Sequence, residues 1–438
     1  MKKALQMSAL FAVLRAAIAA FPDPRTGKNA QYSMEPLGMT AFSTFFLQSP
    51  SFRSHERLMR QLTRNGNASR LFDVEALVSS TQVRHVLDTV DPVHLTPVFD
   101  GVIHRCDRSG LLRQMRGLGK DVLIPLDGTR YFSSTKIHCS QCSSTMHDDG
   151  HVTYFHSALF PAIVMPGASF ALPLAPEFIT PQDGHTKQDC EIMAAKRWIP
   201  EFRRRHKTLA VTILGDDLYA KQPVCETALA HRLNFVFVCK PDSHPTLFRH
   251  IAALRQAQAL HTKTVRIFRN GRWELDFYQW ACDVPLRAGD DALHVNWVDL
   301  TTAVERTGEV VYTNSFITNH ALTASTVEAT VVAGRCRWKI ENETHNTLKN
   351  HGYNLTHNYG HGEQFLSSLL ACLMIIAFAL HTILDLTQGL FARLRAALPS
   401  RREVFTDCRA LVRYFTFPTF HHLLLFMVGQ LEWEAPPG

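Results

Sequence analysis

The 438-residue sequence has no internal repeat and no low-complexity tract, and charged residues are sparse, 19% against 46% hydrophobic. That composition excludes a chain dominated by disorder and suffices for a large core spread over two or three domains. Cysteine pairs are also scarce. Ten cysteines are scattered, mostly inside apolar stretches, and only Cys139 and Cys142 stand close together. This excludes a disulfide scaffold and points to a reducing cytoplasm. Only one apolar run, residues 365–384, reaches about the length of a bilayer span. Ser367, Ser368, His381 and Thr382 interrupt it, so it reads as a buried core helix, and no membrane partner is expected. Residues 1–21 open with Lys2 and Lys3 and then turn apolar, as a secretion signal does, but Arg15 breaks the run. An amphipathic helix is expected there. Acid is scarcest at the start: residues 1–70 hold ten Lys/Arg and three acids, a local excess equal to the +7 of the whole chain. A basic module on a near-neutral body suits a polyanionic partner.

Residues 1–100 read as helical, with helices near 39–47, 54–62 and 74–87, turns at Pro22-Asp23-Pro24 and Arg64–Asn67, and a linker from Asp91-Pro92 to Leu111. Near Lys120 the pattern changes. Residues 121–126 (DVLIPL) form a short apolar run that stops at Asp127-Gly128, a buried strand followed by a turn. Strands are predicted at 152–164 and 169–174. Thr186 with Asp189 resembles a capping box before a helix over 187–205. Residues 209–214 (LAVTIL) make the next buried strand, ending at Gly215-Asp216-Asp217. A helix at 223–232, a strand at 235–239 and a helix at 246–256 follow. Residues 263–319 alternate instead, and Asn270-Gly271 between two alternating runs signals a hairpin. A long helix over 325–349 carries Arg335, Arg337, Trp338, Lys339, Glu341 and Glu343. Three consecutive strands followed by alternating helices and strands is the element order of a ribonuclease H-like α/β domain. An antiparallel β insertion would lie between its second and third acids.

Those acids are Asp127, Asp216 and Glu341. Asp127 closes the first strand and Asp216 the fourth. In such a sheet these strands lie side by side, and a late helix supplies the third carboxylate. Phosphodiester cleavage needs an activated water and a stabilised leaving oxygen, which two Mg²⁺ about 3.5–4 Å apart provide. Hard divalent ions require carboxylate oxygens. Taken singly, each acid has a plainer reading: Asp127 as a turn former, Asp216-Asp217 as a helix cap, Glu341 as a solvated helix residue.

The surrounding words are PLDGTRYFSS at Asp127, ILGDDLYAKQPVCE at Asp216 and CRWKIENETHNTLKNHGYNL at Glu341. Together they resemble bacterial insertion-sequence transposases, in particular the insertion-sequence-4-like DDE group. That group's signature sets a Tyr, Arg, Glu and Lys at fixed spacing. Arg337 and Glu341 fit its Arg–Glu step, four apart on one helical face. The Tyr position falls on Gly334, and the Lys position on Leu348, with Lys349 one residue beyond. Glu343 is therefore a rival third ligand, as Asp217 is to Asp216. The resemblance implies metal-dependent cleavage at the ends of a mobile element and strand transfer to target DNA, in a bacterial, nucleoid-associated cytoplasmic setting. It implies two Mg²⁺, with Mn²⁺ as a substitute. The implied partners are double-stranded DNA, as terminal inverted repeats and target, and a second copy of the chain. The implied organisation is a helical basic DNA-binding region over 1–110, a catalytic core over 111–262 and 323–390, a β insertion over 263–322 and a helical basic region over 391–438.

Basic candidates for DNA contact are Arg337 and Lys349 by the signature, Lys240 at a strand end, and Arg53, Arg57, Arg60 and Arg64 along one helix. Six C-terminal arginines (Arg393, Arg395, Arg401, Arg402, Arg409, Arg413) form a further stripe. Cys139 and Cys142 with His147 have the spacing of a Zn²⁺ site, and His156, His185 or Cys190 are further candidate ligands. On sequence alone, a turn with two free thiols is preferred.

Overall fold

The computed structural model describes residues 5–64, 66–75, 78–181 and 190–431, without the side chains of 28, 29 and 63. The Thr186–Asp189 capping box and His185 lie outside them. At the centre are three parallel strands, Asp121–Pro125, Val211–Gly215 and Asn234–Val238. All five residues of each of the first two are buried, as expected of strands covered on both faces. Arg116–Leu118 adds antiparallel to one edge. At the other edge Val310–Thr318, His294–Val304, Arg272–Pro285 and His261–Arg269 follow in that order, all antiparallel, completing eight strands. The Asn270-Gly271 hairpin forms with both residues at positive φ, 50° and 76°. The alternating block is therefore a direct extension of the central sheet.

The expectation of three successive strands in one sheet is not met. After Asp127 the chain leaves the central sheet. Gly128–Ser134, Val152–Leu159 and Ser143–Met146 form a second sheet, which Glu177–Ile179 joins. The bridge Leu123–Val164 returns the chain to the first strand. Of the strand expected at 169–174, Leu172–Pro173 alone is extended.

Helices cover the sheets. Leu366–Thr387 is long and apolar enough to cross a membrane by length and composition, and it is almost wholly buried inside the protein. Around it pack Met34–Phe46 and the C-terminal helices. Phe46 meets the rings of His381, Phe405 and Phe420 at 4.7, 5.9 and 5.3 Å. Each such fully buried ring contributes about 1.5–3 kcal/mol. Met7–Ala19 buries Met7, Leu10, Phe11, Leu14 and Ile18 on one face.

Three sequence expectations change here. The linker over 91–111 is instead helical, Pro92–Leu95 then Thr96–Ser109. Pro92 and Pro97 stand in the first turns, where proline initiates rather than breaks, and Val98, Phe99, Val102, Ile103 and Cys106 are buried at helical spacing. Of the helix predicted over 74–87, Ser80–Leu87 is helical and residues 74, 75, 78 and 79 are not. The C-terminal arginines do not form a free stripe. Arg401 pairs with Asp385 and donates to Tyr353 Oη at 3.2 Å, Arg395 pairs with Asp385 at 3.6 Å, and Arg409 donates to the Leu47 and Gln48 carbonyls. These three guanidinium groups hold helices together.

Candidate functional site

The first and second strands of the central sheet run in parallel register, Val122 beside Val211 and Pro125 beside Leu214. The Leu126 N–H donates to the Leu214 carbonyl at 2.8 Å. Continued two residues past the last paired positions, that register would set Asp127 abreast of Asp216, on backbones about 4.8 Å apart. Both lie at the carboxyl ends of their strands, where open α/β sheets present ligand sites.

Glu191 joins them, a residue that sequence reading passed over. It opens the helix Glu191–Arg205, and its Oε1 accepts from the Gly128 N–H at 3.0 Å and from Tyr219 Oη at 2.5 Å. Burial pushes its carboxyl pKa up; the Tyr219 hydrogen bond opposes this, and the charges of Asp127 and Asp216 add to the rise. Tyr219 feels the same three carboxylates and is raised well above its ordinary value, chiefly by burial. Two glycines make this approach possible. A Cβ on Gly128 would stand 2.6 Å from Glu191 Oε2, and one on Gly215 would stand 2.8 Å from the Tyr219 ring. The words DGT and GDD therefore carry packing information as well as acids. The signal that would have found Glu191 is an acid opening a helix between the two strands.

Asp216 and Asp217 have different surroundings. Asp216 Oδ1 caps its own turn, accepting from the Leu218 N–H at 2.9 Å, and its charge contributes to the raised pKa of Glu191. Asp217 Oδ1 accepts from the Lys240 N–H at 2.7 Å and stands 3.5 Å from His244 Nε2. It ties the end of one strand to the end of the next. Lys240 takes part through its backbone, and its side chain is exposed.

The long helix expected over 325–349 is helical but irregular. Val327–Arg335 is α, Cys336–Trp338 tightens to a 3₁₀ turn, Ile340–Asn346 widens to a π turn and Thr347–Asn350 returns to α. Such widened turns occur frequently at functional sites. Gly334, at the signature's Tyr position, lets the helix lie flush on the sheet, since a Cβ there would meet Phe316 and Val236 at 2.8 and 2.9 Å. His345 Nδ1 lies 3.3 Å from Asp127 Oδ2. Lys349 Nζ donates to Thr129 Oγ1 at 2.5 Å, and burial lowers its pKa against the pull of Asp127. Glu341, one turn before His345, is half-exposed and pairs with Arg337 at 2.7 Å. At about 80–100° per residue, Glu341 and Lys349 share the His345 side of the helix, while Glu343 points to the other flank. The partner that the structure shows for the Glu341 carboxylate is Arg337.

Arg53, Arg57, Arg60 and Arg64 are all exposed along Phe52–Arg64, with Arg60 bonded to Glu56 at 3.1 Å. Cys139 and Cys142 lie on the turn before Ser143–Met146. His147 is bonded instead to Thr153 Oγ1 at 2.9 Å and stacked on His151. The histidines beside the two thiols are His156 and His361. Nothing in the sequence links His361, more than two hundred residues away, to that turn.

No family model matches the chain, and no curated protein does. Among solved structures it is similar to a piggyBac transposase, seen by cryo-EM in a synaptic complex with hairpin DNA. Sequence identity is 9%, the match covers 100% of this chain and 85% of that chain, and the TM-score is 0.41. A likeness at that score leaves the family open, so the reading below rests on the residues.

Proposed function

We propose that this chain is a DNA transposase that cuts at the ends of a mobile element and joins them to target DNA. What supports the reading is the parallel register of Asp121–Pro125 with Val211–Gly215, which, continued to the strand ends, sets Asp127 beside Asp216 inside sequence words that resemble insertion-sequence transposases. The core is read as ribonuclease H-like, with residues 263–322 as its β insertion and residues 1–110 as a DNA-binding region. The fit to divalent metal is a matter of donor chemistry. Asp127, Asp216 and Glu191 bring oxygen ligands near one another; the Glu191 carboxyl is raised chiefly by burial, and the charges of Asp127 and Asp216 add to the rise. In this reading Asp127, Asp216 and Glu341 would hold two Mg²⁺, Glu341 being paired with Arg337 in this structure. When bound, the ions would activate water and stabilise the leaving oxygen of the phosphodiester.

The chain's own residues do the rest. His345, 3.3 Å from Asp127 Oδ2, holds the Asp127 carboxylate. Lys349, on the same bank, offers a cation to a phosphate oxygen, and Arg337 presents a fork once Glu341 leaves it. Glu191 is a positioning residue that fixes the Gly128 turn. The Phe52–Arg64 arginines supply sequence-independent phosphate contacts. Two protomers are proposed to pair two DNA ends.

The test is a labelled duplex carrying an element end, incubated with Mg²⁺ and a target plasmid. Wild type is expected to nick and join. Asp127→Ala, Asp216→Ala and Glu341→Ala are expected to do neither while still binding the end. Binding without cleavage in wild type would replace this reading with a catalytically silent DNA-binding protein. Cleavage without joining would leave a nuclease.

A further inference from the structure

A second set of metal-ligand side chains lies away from the acidic crevice. Cys139 and Cys142 come from the turn between Gly128–Ser134 and Ser143–Met146, His156 from Val152–Leu159, and His361 from the segment leading into Leu366–Thr387. Their ligand atoms all lie within 4.8 Å of one another. The two Sγ atoms are 3.9 Å apart. Cys139 Sγ is 3.6 Å from His156 Nε2, and Cys142 Sγ is 3.5 Å from each Nε2. The two Nε2 atoms are 3.1 Å apart.

An ion bound tetrahedrally by sulfur at about 2.3 Å and nitrogen at about 2.05 Å needs edges of about 3.8 Å (S–S), 3.6 Å (S–N) and 3.3 Å (N–N). The five edges given above follow that order and come close to each value. A disulfide would need sulfurs about 2.05 Å apart. The imidazoles are prepared for the same role. His361 Nδ1 donates to the Gly362 carbonyl at 2.8 Å, leaving the Nε2 lone pair directed at the thiols. The ring of His156 is stacked on Tyr131 at 16° and is buried.

We propose that Cys139, Cys142, His156 and His361 form a structural zinc site. Two thiolates and two imidazoles select Zn²⁺ over Mg²⁺, and four protein ligands leave no position open for catalysis. The site fastens together the two banks of the crevice. His156 and the cysteine turn belong to the sheet that continues from Asp127, and His361 lies beyond the helix that carries His345 and Lys349. Asp88 holds the same segment independently, accepting from the N–H groups of Glu363, Gln364 and Leu366. This inference does not depend on the transposase reading.

Zinc would be measured in the full chain purified under reducing conditions without added metal. About one ion per chain is expected. Co²⁺ exchanged into the site is expected to give the visible bands of a tetrahedral centre and a thiolate charge-transfer band. Cys142→Ser and His361→Gln are expected to lose the ion, and His147→Gln to keep it. Should the ligand variants fail to fold, wild type stripped by a strong zinc chelator is expected to melt at lower temperature, with Zn²⁺ but not Mg²⁺ restoring it. Wild type that holds no zinc and gives no cobalt–thiolate band would overturn the proposal. So would His361→Gln that retains full zinc with an unchanged cobalt spectrum.

Discussion

The two banks of the acidic crevice are built differently. On one side Asp127 and Asp216 follow buried strands, and β register leaves each a single place. On the other, Glu341, Glu343, His345 and Lys349 lie on a helix that changes winding three times, from α to 3₁₀ to π and back to α. A strand converts residue number into position with a fixed period of two. A helix that passes from 3₁₀ to π turns its later side chains by tens of degrees relative to a regular α-helix. The strand bank therefore follows directly from short apolar runs ending in Asp, while the helix bank needs coordinates.

That contrast is broken or sharpened by substitution, beginning with the largest effect. Asp127→Asn and Asp216→Asn should each reduce Mg²⁺-dependent end cleavage on the order of 10³-fold or more, because each removes a ligand shared with the reacting phosphate. Asp217→Asn, one residue away but bonded to the Lys240 N–H, should stay within about tenfold of wild type in the same nicking assay and show its effect as a lower melting temperature. Equal losses at Asp216 and Asp217 would contradict the register argument.

The helix bank comes next. Glu341→Gln is expected to cost about 10²–10³-fold in cleavage and Glu343→Gln about tenfold or less. The reverse ranking would mean that the π turn rearranges when DNA binds.

Glu191→Gln tests the crevice through stability. The folded pKa of Glu191 is raised, so the folded state binds its proton more tightly than the unfolded chain does. Its ionisation therefore destabilises the metal-free protein above the unfolded value near pH 4.5, and the penalty vanishes below it. Glu191→Gln should melt higher than wild type at pH 7 in chelator, with the gain shrinking toward pH 4. Scanning calorimetry at several pH values gives the answer, and a gain independent of pH would remove the charge argument.

The smallest effect is expected on Phe52–Arg64. Arg57→Ala with Arg64→Ala should weaken DNA binding alike for end and non-end duplexes. The salt slope should fall by about one for each lost phosphate contact. A loss confined to the end sequence would make these arginines base readers.

Much of the fold was legible because its signals are local. The parallel strands, the Asn270-Gly271 hairpin and the apolar core helix each announce themselves within about twenty residues. Signals that span the chain were not legible. The departure of Gly128–Ser134 into a second sheet depends on pairing with Val152–Leu159, and a run of polar and aromatic residues does not say which sheet it joins. The C-terminal arginines look like a phosphate track until Asp385, Leu47 and Gln48 are seen beside them. Glu191 was hidden for the same reason. Its meaning comes from Gly128 and Tyr219, which fold onto it from either side of the sequence.

The most direct test of the metal-binding pair is to let a metal mark its own position. Fe²⁺ substituted for Mg²⁺ in the zinc-replete protein, with ascorbate and peroxide, cleaves the backbone near the bound ion. Fragment ends near Asp127 and Asp216 are predicted, together with a third set at either Glu191 or the Glu341 helix, and all should vanish in Asp127→Asn. Cleavage elsewhere in the chain, or an unchanged pattern in Asp127→Asn, would contradict the account.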